Sequence, residues 1–187
     1  MMLAGLTACL SSGLVRAADA FRLEQWPPSM PVPDFQLLDT NATPRRLSDY
    51  RGKVTIVFFG FMHCADVCPA TFVKLSLVMK ELGALADRVQ VLFVTLDPDR
   101  DSLAALKSYV ALFNPQFVGL TGSYAQINAA ASGFSVHYAK VPLGDGYTID
   151  HSSGIYVCDR SGRLRLVGTL ATRVADWTHD IRLLASS

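Results

Sequence analysis

The chain has 187 residues, of which 50% are hydrophobic, and its formal net charge at pH 7 is +1. This length and hydrophobic content suit one globular domain with a sizeable core. A charge so close to zero argues against a nucleic-acid-binding protein, which would present a strongly basic surface.

The first 20 residues are typical of a targeting segment. They are mostly small and apolar and end in Ala18-Asp19-Ala20, a small-x-small cleavage pattern. We therefore expect a secretory signal at 1–20 and a mature domain at 21–187, in the periplasm or cell envelope. Two alternatives stay open. In the first, residues 6–9 (LTAC) resemble a lipoprotein cleavage site, which would leave Cys9 as a lipidated N-terminus. In the second, the segment is an uncleaved membrane anchor, although it is shorter than the ~20 apolar residues of a spanning helix.

The next stretch leads into the first predicted strands. Four prolines between Phe21 and Pro33 exclude regular structure and predict an extended lead-in. Residues 35–39 and 45–47 predict a strand and a short return strand. The run from Val54 to Phe61 is β-branched and aromatic, which is typical of a strand buried on both faces.

The remaining pattern alternates between helices and strands. Apolar residues at helical spacing predict a helix over 71–82, with Pro69 in its first turn. In chain order there follow a strand at 89–96, a helix at 102–113, a strand at 117–120, a helix at about 124–131, a hairpin of 134–141 and 147–150, a hairpin of 154–159 and 164–168, and a helix at 174–184. This order predicts an α/β sandwich with a mixed central sheet flanked by helices.

Two cysteines, Cys64 and Cys68, stand where the buried strand ends and the first helix begins. A helix N-terminus favours a thiolate, so we expect both thiols to be more acidic than ordinary cysteines. If the segment coils helically, their spacing brings both sulfurs to one face, close enough for one soft metal ion or for a disulfide. The spacing is not that of the thioredoxin redox motif, and no histidine follows Cys68 as c-type haem attachment would require.

Three segments carry a family resemblance. They are Phe59–Pro69 (FGFMHCADVCP), Val94–Asp101 (VTLDPDRD) and Asp150–Val157 (DHSSGIYV). In this order and at these separations they resemble the SCO/SenC family of copper-binding assembly proteins for cytochrome c oxidase. The resemblance runs from about Pro33 to Leu184, which is nearly the whole mature chain.

The resemblance implies a thioredoxin-like fold and a copper site formed by Cys64, Cys68 and His151. Met62 and Ala65 depart from the family pattern, since a small or hydroxyl residue is expected at the first position and proline is common at the second. The chemistry of the residues agrees with copper in both oxidation states, because thiolates hold Cu(I) and imidazole helps to accommodate Cu(II). Zinc could use the same donors with a water in the fourth place.

Neighbouring polar residues receive supporting or structural interpretations. Asp97 ends a strand adjacent to the cysteine strand, so we expect it to steer the cysteine loop. His63 adjoins Cys64, but side chains at adjacent positions diverge, which favours a role outside the ligand set. Cys158 is predicted to be a buried small hydrophobe, and His137 and His179 to be structural or solvated.

These observations favour a periplasmic copper chaperone. Its predicted partner is the copper-centre subunit of a respiratory oxidase, to which it would deliver copper or whose cysteines it would keep reduced; other copper chaperones or thiol reductases are further predicted partners. The alternative is a thiol–disulfide oxidoreductase or redox sensor that uses Cys64 and Cys68. A peroxidase on the same fold is disfavoured because Phe61 replaces an expected threonine.

Overall fold

The computed structural model describes residues 20–28, 30–32 and 34–186. The strands in this part are β1 (Glu24–Gln25), β2 (Gln36–Asp39), β3 (Pro44–Arg46), β4 (Val54–Gly60), β5 (Val89–Thr95), β6 (Val118–Thr121), β7 (Tyr138–Leu143), β8 (Gly146–His151), β9 (Ile155–Cys158) and β10 (Leu164–Gly168). The helices are α1 (Val67–Leu82), α2 (Leu103–Phe113), α3 (Tyr124–Gly133) and α4 (Val174–Ser186). None of these described helices is both long and apolar enough to cross a membrane.

Eight strands form one mixed sheet in the order β1-β10-β9-β4-β5-β6-β2-β3. The central strands β4, β5 and β6 are parallel, and the flanking pairs are antiparallel. Strands β7 and β8 form a separate two-stranded hairpin. This arrangement confirms the predicted α/β sandwich with a mixed central sheet.

The apolar run of β4 is long because both of its faces are covered. Successive side chains of a strand point to opposite faces, so alternate residues enter two different cores. Val54, Ile56 and Phe58 pack with α1, α2 and α4. Val57 and Phe59 pack on the other face, with α3 and residues of the β7–β8 hairpin.

The carboxyl ends of β4 and β5 define the edge of the sheet where the cysteines lie. These parallel strands are in register, with Gly60 opposite Thr95. The segment after each strand therefore starts at the same end of the sheet. This places the loop after β5 beside the turn that carries Cys64.

The prediction that prolines exclude regular structure from the lead-in is wrong at its start. Residues Glu24–Gln25 pair with the edge strand β10, because the prolines begin only after them. The buried carboxylate of Asp180 also accepts hydrogen bonds from the backbone N–H groups of Arg22 at 2.8 Å and Leu23 at 2.7 Å. The chain is thus held to the domain at residues 22–25.

Candidate metal centre

Cys64 and Cys68 lie on either side of the start of α1, and both are free thiols. Cys64 is half-buried in the turn before the helix, whereas Cys68 is 2% exposed and already helical. Pro69 lies in the first helical turn, as predicted, where its missing N–H costs no intrahelical hydrogen bond. The pair therefore combines one accessible sulfur with one shielded sulfur.

Burial raises the pKa of the Cys68 thiol to about 12. A hydrogen bond from the Phe61 backbone lowers this pKa, while Cys64 raises it further through its charge and a side-chain hydrogen bond. The prediction that Cys68 is more acidic than an ordinary cysteine is therefore wrong. The loss of water around the sulfur outweighs the favourable end of the helix dipole.

The raised pKa predicts a pH dependence for binding of a thiophilic ion such as Cu(I). Metal ions bind the thiolate, so Cys68 must release its proton on binding, and below pH 12 protons compete with the ion. Apparent affinity should rise with pH, about tenfold per unit for this one proton. A chelator competition titration between about pH 7 and 10.5, corrected for protonation of the chelator, measures the slope. A slope that falls to zero above about pH 9.5, where an ordinary thiol with a pKa near 8.5 has ionised, would contradict the raised pKa of Cys68.

Gly60, the last residue of β4, makes room for the Cys68 sulfur. A Cβ atom at this position would lie 2.5 Å from Cys68 Sγ and 3.0 Å from the ring of Phe93. Both distances are too short for unstrained contact, so glycine is required where the thiol approaches the strand backbone. The sequence offered one signal for this residue, an isolated glycine at the end of an otherwise apolar strand.

We predict that Gly60→Ala displaces the Cys68 sulfur and costs about 1–3 kcal/mol of unfolding free energy, as overpacking of a core does. Denaturant unfolding and Cu(I) competition should both detect the change. Gly146→Ala is the matched control, because its nearest contact would be a carbonyl oxygen at 3.9 Å. If Gly60→Ala kept the stability and Cu(I) affinity of the parent, the tight packing of Cys68 against β4 would be refuted.

Asp101 is hydrogen-bonded directly to the cysteine turn. Its buried Oδ2 accepts hydrogen bonds from the backbone N–H of Met62 at 3.0 Å and from the Thr95 hydroxyl at 2.5 Å. Asp97 instead accepts hydrogen bonds from Arg100 and from the Tyr147 hydroxyl. Among the described residues, the Asp97 side chain makes no hydrogen bond to the cysteine loop itself, and its predicted role in steering that loop stays a prediction.

His63, Asp97 and Asp101 form a compact group at this turn. Their ligating atoms all lie within 4.8 Å of one another, the one such group of three among the described residues. Asp101 Oδ1 is buried without a hydrogen bond and lies 3.7 Å from His63 Nδ1. Since Asp97 is already paired with Arg100, we interpret the group as a network that holds the loop.

His151 ends β8 and lies against the cysteine turn. Its ring is edge-on to that of Phe61, with centroids 6.0 Å apart, and the Phe61 carbonyl accepts a hydrogen bond from the Cys64 N–H at 3.3 Å. His151 Nδ1 donates to the Ser152 carbonyl oxygen at 2.9 Å. This hydrogen bond leaves the lone pair of Nε2 free for a metal ion.

The three predicted ligands are neighbours, but they are not drawn together into one cluster. In the part of the chain that the structure describes, the ligating atoms of Cys64, Cys68 and His151 do not all lie within 4.8 Å of one another. Some movement of these side chains or of the segments that carry them would therefore be needed for all three to share one ion. Their common role as ligands stays a prediction.

Of the other singled-out residues, Cys158 and His179 lie away from this site, whereas His137 lies beside His151. Cys158 is fully buried in β9 opposite Thr55, and burial raises its pKa to about 12, in agreement with a small core residue. His137 is exposed just before β7. His179 Nδ1 lies 2.7 Å from the buried carboxylate of Asp180, which indicates a structural role.

Comparison with known proteins identifies the family. Residues 25–186 match the family model described as SCO1/SenC. The chain belongs to the SCO1/SenC family. Over 133 residues it is 41% identical to the mitochondrial SCO2 homologue of Mus musculus. This aligned region covers 69% of this chain and 52% of that protein. This SCO1/SenC chain thus spans about half the length of the curated relatives it matches.

Solved structures confirm the thioredoxin-like fold of this SCO1/SenC protein. Bradyrhizobium japonicum ScoI with copper bound is 36% identical, with a TM-score of 0.76 over 82% of this chain and 98% of that chain. BsSco, a member of the Sco family of cytochrome c oxidase assembly proteins with an identified disulfide switch, is 22% identical, with a TM-score of 0.66 over 84% and 94% of the two chains. At that identity BsSco supports the fold alone.

Proposed function

We propose that this SCO1/SenC protein is a copper metallochaperone for assembly of the binuclear copper centre of cytochrome c oxidase. It would deliver copper, reduce the target cysteines, or do both. The observation that carries the proposal is the pair of free, adjacent thiols at the start of α1, with the His151 ring held beside the same turn. The likeness to a copper-bound relative supports it.

The donor set fits copper as a transferable ion. Cys64 and Cys68 would supply the soft sulfur that Cu(I) prefers, and His151 would add a nitrogen donor suited to Cu(II). Cys64 is the more exposed of the two sulfurs, so a partner's ligand would reach the ion from that side. Cys68 is shielded from solvent and would hold the ion until a competing ligand arrives.

The thiols also favour a second candidate function, thiol–disulfide exchange. Cys64 and Cys68 are close enough for a side-chain hydrogen bond, and both are reduced. The accessible Cys64 thiolate would attack a target disulfide, and Cys68 would then displace the target from the mixed disulfide. The target would gain two electrons and become a dithiol, while Cys64 and Cys68 would form a disulfide.

We further propose an envelope location, with 1–20 as signal or anchor and 21–187 as the mature domain. Residues 1–19 lie outside the described part of the chain. The lead-in indicates the direction of such a tether: β1 pairs with the end of β10 beside Ile155, and Ile155 lies beside Phe58 near the end of β4. An N-terminal tether would thus leave the domain at the same end of the sheet as the cysteines.

Deletion of the gene for this protein in its organism of origin tests the proposed function. We expect loss of oxidase activity and of copper in the purified oxidase, restored by the parent and not by a variant in which Cys64 and Cys68 are both serine. Rescue by added copper would indicate delivery, whereas rescue by a membrane-permeant thiol reductant would indicate reduction of the target. A fully active oxidase in the deletion strain would refute the proposal.

A further inference from the structure

The hairpin that carries His151 packs on the core of the main sheet through side chains such as Ile149. Strands β7 and β8 pair with each other, and neither joins the eight-stranded sheet among the described strands. Five of the six residues of β7 are exposed. Because an isolated two-stranded hairpin is marginally stable in water, its position must be set by other contacts.

Arg100, in the loop after β5, adds several polar contacts to this hairpin. Its guanidinium carbon lies 3.8 Å from the centre of the Tyr147 ring, and its Nη1 donates to the Tyr147 carbonyl oxygen at 3.0 Å. Its Nε also donates to Asp97. The Tyr147 hydroxyl donates to the other oxygen of Asp97 at 2.8 Å. Each of the three residues Arg100, Asp97 and Tyr147 therefore contacts the other two.

Burial distinguishes this set from the ion pairs at the surface. The Asp97 side chain is fully buried and that of Arg100 is 27% exposed. Lys140 makes a further contact with the same loop, 2.8 Å from Asp99, but both side chains are exposed. Exposed pairs of this kind contribute little, whereas a desolvated cation over an aromatic ring contributes more.

The same loop also holds the cysteine turn. Asp101 accepts the hydrogen bond from the Met62 N–H, two residues before Cys64, and its own N–H donates to the Asp97 carbonyl at 2.9 Å. The loop from Asp97 to Asp101 therefore contacts both segments that carry predicted copper ligands. Within this loop, Arg100 contacts both the ring and the backbone carbonyl of Tyr147 on the hairpin.

We propose that Arg100 is a positioning residue that sets the distance between His151 and the cysteine pair. This inference rests on the proposed copper-binding function. Arg100 touches none of the predicted ligands and acts through Tyr147, which precedes His151 on β8. Without Arg100 the hairpin moves more freely and His151 is presented to the thiols less often. Because Cu(II) depends on the imidazole more than Cu(I) does, Cu(II) affinity should suffer selectively.

The test compares Arg100→Gln with Arg100→Lys and with a matched control, Arg173→Gln. Arg173 forms the same type of ion pair, with Asp176 three residues later, at the exposed start of α4. Removing a group bonded directly to a metal ligand costs about 10–100-fold in affinity. Because Arg100 acts one step further out, through Tyr147, we expect Arg100→Gln to weaken Cu(II) binding about tenfold and Cu(I) binding less than about threefold. Arg100→Lys keeps the charge but loses the paired hydrogen bonds, so its effect should be intermediate.

Hydrogen exchange of the metal-free protein supplies an independent measurement. Amides of β7 and β8 should exchange faster in Arg100→Gln than in the parent, while those of β4 and β5 should not change. Removing Arg100 leaves the Asp97 charge buried and uncompensated, so Tyr147→Leu is a second variant that keeps this ion pair. It should show the same acceleration and the same selective loss of Cu(II).

The outcomes separate the two proposals. An equal loss of Cu(I) and Cu(II) affinity, or unchanged exchange in the hairpin, would overturn the positioning role of Arg100. If the parent protein itself bound no copper, the proposed function would fail, and the positioning of a copper ligand with it. Exchange in the metal-free variants would still show whether Arg100 fixes the hairpin.

Discussion

Replacing either Cys64 or Cys68 by serine should abolish tight binding of Cu(I). Each change removes one of the two soft donors and offers a hydroxyl, which is a poor ligand for a soft ion. We expect the dissociation constant to rise at least about a thousandfold, or ~4 kcal/mol. A competitive titration with a Cu(I) chelator of known affinity measures this loss.

Cys158→Ala is the matched control for the cysteine variants. It also removes a buried thiol, but from β9 opposite Thr55, near the end of β4 remote from Gly60. Its Cu(I) affinity should equal that of the parent after allowance for any loss of folded protein. If Cys64→Ser or Cys68→Ser bound Cu(I) as the parent does, the copper site would have to lie elsewhere.

Replacing His151 by alanine should separate the two oxidation states of copper. Two thiolates alone can hold Cu(I), whereas Cu(II) gains strongly from an imidazole nitrogen, so we expect Cu(II) affinity to fall at least about a hundredfold and Cu(I) affinity to fall much less. The disulfide potential of Cys64 and Cys68 should change comparatively little, because the start of α1 is left intact. The thiolate-to-copper absorption band, both affinities and the redox midpoint measure these effects.

His137→Ala serves as the control for the histidine variant. His137 is exposed and precedes the same hairpin, so it tests whether loss of any nearby imidazole has the same consequence. An unchanged Cu(II) spectrum in His151→Ala would show that His151 is not a ligand. That result would favour thiol–disulfide exchange over copper delivery as the function.

The fold could be predicted from the sequence because its strongest signals are local. The apolar run of β4 is buried at all seven positions, as its composition indicates. Ser102 caps α2 by accepting a hydrogen bond from the Ala105 N–H at 3.3 Å, which agrees with the predicted start of that helix. Patterns of this kind depend on residues close in sequence, so they can be recognised without knowledge of the tertiary contacts.

The parts that sequence analysis missed depend on contacts between distant segments. The pairing of Glu24–Gln25 with β10 has no local signature, and the isolated glycine at the end of β4 does not reveal that the Cys68 sulfur packs against it. The acidity of Cys68 was misjudged because its burial outweighs the helix end, and burial is not visible in the cysteine spacing. Asp97 and Asp101 are both acidic and close in sequence, so only their hydrogen bonds distinguish their roles.

X-ray absorption spectroscopy at the copper edge of the copper-loaded protein tests the copper site most directly. The proposed site predicts two sulfur donors in the Cu(I) form, and the same two sulfurs with one imidazole nitrogen in the Cu(II) form. A shell of nitrogen and oxygen donors without sulfur in both forms would contradict it. Such a shell would point instead to the neighbouring group of His63, Asp97 and Asp101.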